Sequence, residues 1–264
     1  MAMPVQRVVD NVSKTRLWLS AKADLRFYLH RVLWEVGFPW TRLEPTPLSE
    51  IFPGIEDQDE SLEIVHPFER KRGTSMELEE LMVVLAIARF RHARRALEIG
   101  TFDGNTALNL ALNLGEGGRV VTIDLPPDGD SLAGNAVPGS AYADGKPAAF
   151  ERRQYVGHPA SARIRQVFGD SAKLDWNEIE GGIDLAFIDG DHSSPYVAND
   201  TRNALSVLSP DGVVLWHDYE WRQVSAVIDG AVARGARIHW IQSTRLAVAT
   251  FEDPLAASSA FRWP

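Results

Sequence analysis

Apolar and polar positions change their period along this chain. Between residues 14 and 36, Leu25, Tyr28, Leu29, Val32, Leu33 and Val36 recur at helical spacing with Lys22, Arg26 and Arg31 among them, which predicts an amphipathic helix. The run FPWTRLEPTPLSEIFPGIEDQ follows. Its prolines at 39, 45, 47 and 53 remove backbone donors, so it reads as an irregular connecting arm laid over the site. A second helix is expected from Thr74, where Thr74-Ser75-Met76-Glu77 fits a capping box and Leu78, Leu81, Met82 and Leu85 form the buried stripe.

From Arg95 onward short apolar runs alternate with helix-length ones. ALEIG, RVVTID, RIRQVFGD, IDLAFID, GVVLWHD, ARIHWIQ and LAVATF read as strands, with helices over 108–114, over 195–208 and through Val227 among them. Crossovers of that length imply an α/β fold: a Rossmann-like, doubly wound parallel sheet buried on both faces. Only about four residues part the last two runs, too few for a parallel crossover, so these should pair as an antiparallel hairpin. One long interruption, 126 to 162, is rich in Gly, Pro, Ser and Ala. Its first part reads as a mobile loop, and AAFERRQYVGHPASAR has room for a short helix. The expected division is an N-terminal helical extension and Pro-rich arm over 1–70 and a main domain over 71–264.

Composition narrows the function. Apolar residues make up 45% of 264, enough for one large core with an appendage. A net charge of −9 opposes phosphate backbones and anionic lipid surfaces, so neither nucleic acid nor membrane is an expected partner. With no cysteine there is no disulfide, thiolate metal site or cysteine nucleophile. The N-terminus lacks the apolar run of a signal peptide, and a cytoplasmic location is the expectation.

The first strand ends in Glu98-Ile99-Gly100-Thr101-Phe102-Asp103-Gly104-Asn105-Thr106 and enters a helix directly. Ligands of open parallel sheets lie beyond the carboxyl ends of the strands, where glycines allow close backbone approach. Gly100 and Gly104 do not have the G-x-G-x-x-G spacing that seats a pyrophosphate, so the turn suits a ligand without phosphates. About twenty residues on, Asp124 closes the second strand, where a carboxylate accepts from both hydroxyls of a ribose. Glu98 is placed to meet a cationic ligand, and Gly169-Asp170-Ser171 closes the third strand. Together they favour an adenosyl sulfonium over a nicotinamide dinucleotide.

These segments, with Ile123-Asp124-Leu125-Pro126, Phe187-Ile188-Asp189-Gly190-Asp191-His192 and Trp216-His217-Asp218-Tyr219, resemble the motif series of class I S-adenosylmethionine-dependent methyltransferases. They are similar in particular to bacterial small-molecule O-methyltransferases and, more distantly, to catechol and caffeoyl-CoA O-methyltransferases. The resemblance spans about residues 70 to 252. It implies a seven-stranded sheet of order 3-2-1-4-5-7-6 with strand 7 antiparallel. It also implies that Glu98, Gly100, Thr101, Phe102, Gly104, Asn105 and Thr106 surround the methionine part, Asp124 and Leu125 the ribose, and Gly169, Asp170 and Ser171 the adenine, with Asp189 alongside. Phe102 stands where the family's loop often has a third glycine.

Methyl transfer from a sulfonium is an in-line displacement, and a hydroxyl acceptor must also lose its proton. Asp189, Asp191 and His192 close the fourth strand; His217, Asp218 and Tyr219 close the fifth. In metal-dependent relatives the Asp189 position joins an acidic pair, here His217-Asp218, around a divalent cation such as Mg2+ or Mn2+. An imidazole at 217 disfavours magnesium and leaves manganese or zinc. The other reading has no metal, with His217 or His192 taking the proton. Asp191 has a capping alternative before Pro195, while Tyr219 and Trp221 serve either as substrate wall or as core. The expected activity is methylation of a small hydroxylated molecule. Its rivals are another transfer or a hydroxylation on the same fold, and a non-catalytic binder, against which the polar convergence at one rim argues. An exposed apolar side of the first helix would favour a homodimer.

Overall fold

The computed structural model describes residues 2–4, 41–58, 61–65, 76–126 and 153–263. The helix expected over 14–36, Thr74 and Ser75, and most of the 126–162 interruption lie outside the described residues.

The chain's elements are β1 (Ala2–Pro4), β2 (Pro45–Thr46), α1 (Leu48–Ile51), β3 (Ser61–Glu63), α2 (Leu78–Phe90), β4 (Arg95–Ile99), α3 (Asn105–Asn113) and β5 (Arg119–Asp124). They continue with β6 (Ile164–Phe168), β7 (Ile183–Ile188), α4 (Ser194–Val207), β8 (Leu208–Trp216), α5 (Arg222–Ala233), β9 (His239–Ile241), β10 (Ala247–Phe251) and α6 (Pro254–Ser258). β1 and β3 form a small antiparallel ribbon. The main sheet has eight strands in the order β2-β9-β10-β8-β7-β4-β5-β6.

Seven of these are the expected strands; the eighth is a correction. Pro45 and Thr46, read from sequence as irregular arm, pair in parallel with Trp240 and Ile241 at the sheet's edge, a place that tolerates proline because only one side of the strand is paired. β10 alone is reversed, antiparallel to both β8 and β9, as the short connection after β9 requires.

Alternate residues of the central strands enter two cores on opposite faces. Ala96, Val120, Leu185, Phe187, Val213 and Leu215 pack with α2 and α3, while Leu97, Ile99, Val121, Ile123, Ala186, Val214 and Trp216 pack with α4 and α5. From Glu80 to Ala88 every residue of α2 is buried, because Leu48, Phe52, Ile55, Leu62 and Ile64 cover the side that the sheet leaves open. The stretch read as a loose arm is therefore tied down. The Leu43 amide donates to the Tyr219 hydroxyl at 3.1 Å, and the Arg42 amide to Asp229 Oδ2 at 3.1 Å.

Helix α2 starts at Leu78, not Thr74. Its capping box is formed by Glu77 and Glu80, whose side chains each accept from the other's end of the first turn. Past the interruption, residues 159–163 form a short 3-10 turn begun by Pro159.

Candidate functional site

The carboxyl rim of the parallel strands is stitched by backbone bonds. Gly100 N donates to Ile123 O, Asp189 N to Ile99 O and His217 N to Ile188 O, at 2.8, 2.8 and 3.1 Å. This places the ends of β5, β4, β7 and β8 side by side. Gly100 has φ +102, and a Cβ there would lie 2.1 Å from the Asp189 carbonyl, so only glycine lets the two loops touch. At Gly104, φ +74, a Cβ would meet the Tyr155 ring at 2.7 Å. Phe102 takes φ +46, a left-handed conformation that glycine adopts freely and a bulky residue adopts at a cost.

That strained turn turns its amide on the second strand's acid. Phe102 N donates to Asp124 Oδ2 and Leu125 N to Asp124 Oδ1, each at 2.8 Å. Asp124 is buried, and its two oxygens are fixed in one orientation. Gly169 N donates to Asp124 O at 2.9 Å, and a Cβ on Gly169 would sit 2.5 Å from Leu174, so the third loop folds close against the second. Asp170 Oδ1 accepts from Ala172 N and the Tyr196 hydroxyl, while the Ser171 carbonyl accepts from Trp176 Nε1 and Asn203 Nδ2.

Several residues assigned to the cofactor point elsewhere. The Thr101 side chain is buried, 2.6 Å from Thr122 Oγ1, and accepts from Gln166 Nε2 at 3.0 Å. Asn105 is buried too and donates to Val65 O and Gln154 Oε1, both at 2.8 Å. Thr106 is half-buried on the first turn of α3. Glu98 accepts a short hydrogen bond from Thr122, and burial raises its pKa well above the ordinary carboxylate range despite that bond. Sequence reading did not find the rest of this chain, Gln166 and Tyr155, joined by Tyr155 Oη donating to Gln166 Oε1 at 2.7 Å.

At the β7 and β8 ends the polar residues converge. His192 Nε2 stands 2.9 Å from Asp218 Oδ2 and 3.7 Å from Asp189 Oδ1, yet is aligned for a hydrogen bond with neither. Asp189, His192 and Asp218 can each offer one ligand atom, all within 4.8 Å of one another. His217, expected from the sequence as a metal ligand or base, stands beside that set rather than in it. Its Nδ1 faces Asp189 Oδ1 and its Nε2 faces Glu80 Oε2, each at 3.1 Å, so both nitrogens are turned to carboxylates. Burial lowers its pKa, but Asp189, Asp218 and Glu80 outweigh burial and hold it well above the ordinary imidazole value.

Glu80 and Arg245 were missed by sequence reading, and they organise this end. Arg245 Nη2 and Nε contact Glu80 at 2.7 and 3.1 Å, and Nη1 contacts Asp218 Oδ1 at 2.9 Å. Burial raises the Glu80 pKa, but His217 and Arg245 more than reverse it, to about 2. The nearby Glu220 is pushed up to about 8 by burial and by Asp218. Asp191 accepts from Ser193 N at 2.7 Å, a turn just ahead of the α4 N-cap at Ser193. Tyr219 is fully buried core, donating to Asp229 Oδ1 at 2.7 Å. Trp221 is 44% exposed, its ring centroid 4.8 Å from that of His192.

Comparison with known proteins agrees with this architecture. Residues 97–219 match a family model described as a methyltransferase domain. Catechol O-methyltransferase domain-containing protein 1 of Mus musculus is 28% identical over 155 residues, 58% of this chain and 53% of the relative. A probable caffeoyl-CoA O-methyltransferase of Arabidopsis thaliana is 26% identical over 131 residues, 49% of this chain and 50% of the relative. The chain thus spans about half the length of the curated relatives it matches. Among solved structures, an O-methyltransferase from Bacillus cereus in complex with SAH shares the fold with TM-score 0.50 at 18% identity, covering 85% of this chain and 97% of that one. The sheet, the glycine turn and the strand-end carboxylate thus lie on a stretch that matches a methyltransferase domain model, in a fold shared with that O-methyltransferase structure.

Proposed function

We propose that this domain transfers the methyl group of S-adenosylmethionine to a hydroxyl oxygen of a small molecule. The observation that carries the reading is Asp124, whose carboxylate the Phe102 and Leu125 amides fix beside a positive-φ glycine turn. Both hydroxyls of a ribose can donate to such an acceptor, and the turn from 100 to 104 takes the amino-acid end. Asp170 and Ser171 flank the adenine. In the transfer the acceptor oxygen attacks the methyl carbon, the carbon–sulfur bond breaks, and the sulfide leaves neutral. The acceptor's proton is taken at Asp189 Oδ2. Asp189 is the most open of the rim carboxylates, with its side chain 23% exposed against 9% for Asp218 and 5% for Glu80.

The rim also fits a divalent cation. His192 Nε2 is buried and unaligned for a hydrogen bond although 2.9 Å from Asp218 Oδ2, and roughly 3 Å is the edge of an octahedron of ~2.1 Å bonds. Asp189, His192 and Asp218 would hold it, and one imidazole among two carboxylates favours manganese over magnesium. Such an ion supplies Lewis acidity, which lowers the pKa of a bound hydroxyl. Trp221, exposed beside His192, offers the acceptor a flat apolar wall.

Calorimetry with S-adenosylhomocysteine should show binding that Asp124→Ala weakens by roughly 100-fold or more, since each hydrogen bond to the charged group contributes about 1.5–3 kcal/mol. Labelled methyl release to a panel of hydroxylated compounds, with Mn2+ and with a chelator, then reads the chemistry. No binding by the wild-type chain refutes the cofactor assignment. Binding without transfer to any oxygen acceptor refutes O-methylation, and equal rates with and without chelator refute the cation.

A further inference from the structure

Two side chains outside residues 97–219 reach into the acceptor end of the site. Glu80 lies on α2 and Arg245 in the turn before β10, and both are brought to the rim by packing around the sheet. Glu80 accepts from Arg245 N at 2.8 Å, from Arg245 Nε at 3.1 Å and from Arg245 Nη2 at 2.7 Å, and its Oε2 lies 3.1 Å from His217 Nε2. On the far side of these cations stand the two rim carboxylates. Arg245 Nη1 donates to Asp218 Oδ1 at 2.9 Å, and His217 Nδ1 lies 3.1 Å from Asp189 Oδ1. One buried carboxylate thus holds a guanidinium and an imidazole, and each of these faces one carboxylate of the rim. The Tyr219 amide donates to the Arg245 carbonyl at 2.9 Å, which ties the loop after Asp218 to the same residue.

Burying so many charges costs desolvation, and a well-packed apolar set at these positions would cost less. The placement accounts for the charges: without Glu80 and Arg245, Asp218 would lose its guanidinium contact, and His217, which faces Asp189, would lose its partner at Nε2. We propose that Glu80 and Arg245 are positioning residues, which act through His217 and directly on Asp218 to set the two carboxylates that receive the acceptor. This rests on the reading given under Proposed function. The planar fork of Arg245 spans both acids at once, which a lysine cannot do.

The test uses the full chain with Glu80→Gln and Arg245→Lys, the second of which keeps a cation beside Glu80 and guards against a fold lost in the first. Mn2+ affinity read by electron paramagnetic resonance should fall ~10–100-fold in each, the range for outer partners of metal-ligating groups. S-adenosylhomocysteine affinity by calorimetry should stay within about twofold, because neither residue touches the 100–104 turn or Asp124. The double variant should be no worse than the weaker single one, since the two residues act as a unit. Mn2+ affinity unchanged in folded variants, or cofactor affinity falling in step with it, overturns the proposal. Should the wild-type chain bind cofactor but no Mn2+, kcat at saturating S-adenosylmethionine carries the test. A fall of the same size at unchanged KM for that cofactor then upholds the positioning role, and parity overturns it. A wild-type chain that binds neither probe overturns the underlying functional reading, a result separate from any difference between variants.

Discussion

At Gly100 a methyl group would meet a backbone oxygen, and the backbone is already left-handed there. Gly100→Ala adds conformational strain to overpacking, together about 3 kcal/mol, so Tm is expected to fall by roughly 6–12 °C in thermal unfolding, with cofactor binding lost in calorimetry. Asp200 makes a different case. Burial raises its pKa from 3.8 to about 7, with hydrogen bonding from Ser171 and Asn199 opposing the rise and Asp191 and Asp170 adding to it. A carboxyl group whose pKa rises on folding is harmless while protonated in both states and destabilises progressively as pH climbs between the two values. Asp200→Asn should therefore match wild type near pH 4 and exceed it above pH 7 by a few kcal/mol, read by chemical denaturation at both pH values. A wild-type advantage that grows with pH would refute the assignment. Residue chemistry at the strand ends was legible in the sequence because Asp124, Asp189 and Asp218 each follow an apolar run. The fate of His217 was not, since it depends on Glu80, 137 positions away in the chain.

One face of helix α3 carries Asn105, Asn109 and Asn113, four residues apart and all buried. Their amides imitate a strand. Asn113 exchanges hydrogen bonds with the Glu63 N–H and carbonyl at 3.0 and 2.7 Å, Asn109 with those of Val65 at 2.8 Å each, and Asn105 adds a second donor to the Val65 carbonyl. Asn109→Ala would strand the Val65 N–H, at about 1–3 kcal/mol where water cannot replace the partner, and leave the Val65 carbonyl to Asn105. Hydrogen exchange at the Val65 amide should then quicken about tenfold or more, while amides of β4 and β7 keep their protection; an unchanged Val65 rate would rule the ladder out. The helix itself was visible in its apolar spacing. Its polar stripe was not legible, because sequence does not say that residues 61–65 lie against it. The arm was misread for a related reason: prolines that forbid a central strand permit an edge strand, and only the partner, β9, decides between them.

For the whole molecule, cofactor and fold are linked by mass action. S-adenosylhomocysteine at a hundred times its Kd should stabilise the native state by about 2.7 kcal/mol, a rise in Tm of roughly 5–10 °C, and Asp124→Ala should abolish that rise. The alternation of strands and helices made the doubly wound sheet and the terminal hairpin readable, since crossover lengths follow from spacing alone. Where β10 goes has a kinetic meaning. It follows β9 in the chain, yet it lies between β8 and β9, so β9, and with it Pro45 and Thr46, has nowhere to dock until residues 247–251 arrive. Arg245 precedes that strand by two positions. A ribosome-bound chain can therefore close its 100–104 turn while its rim still lacks Arg245, and the rim is clasped only once residues 245–251 have emerged.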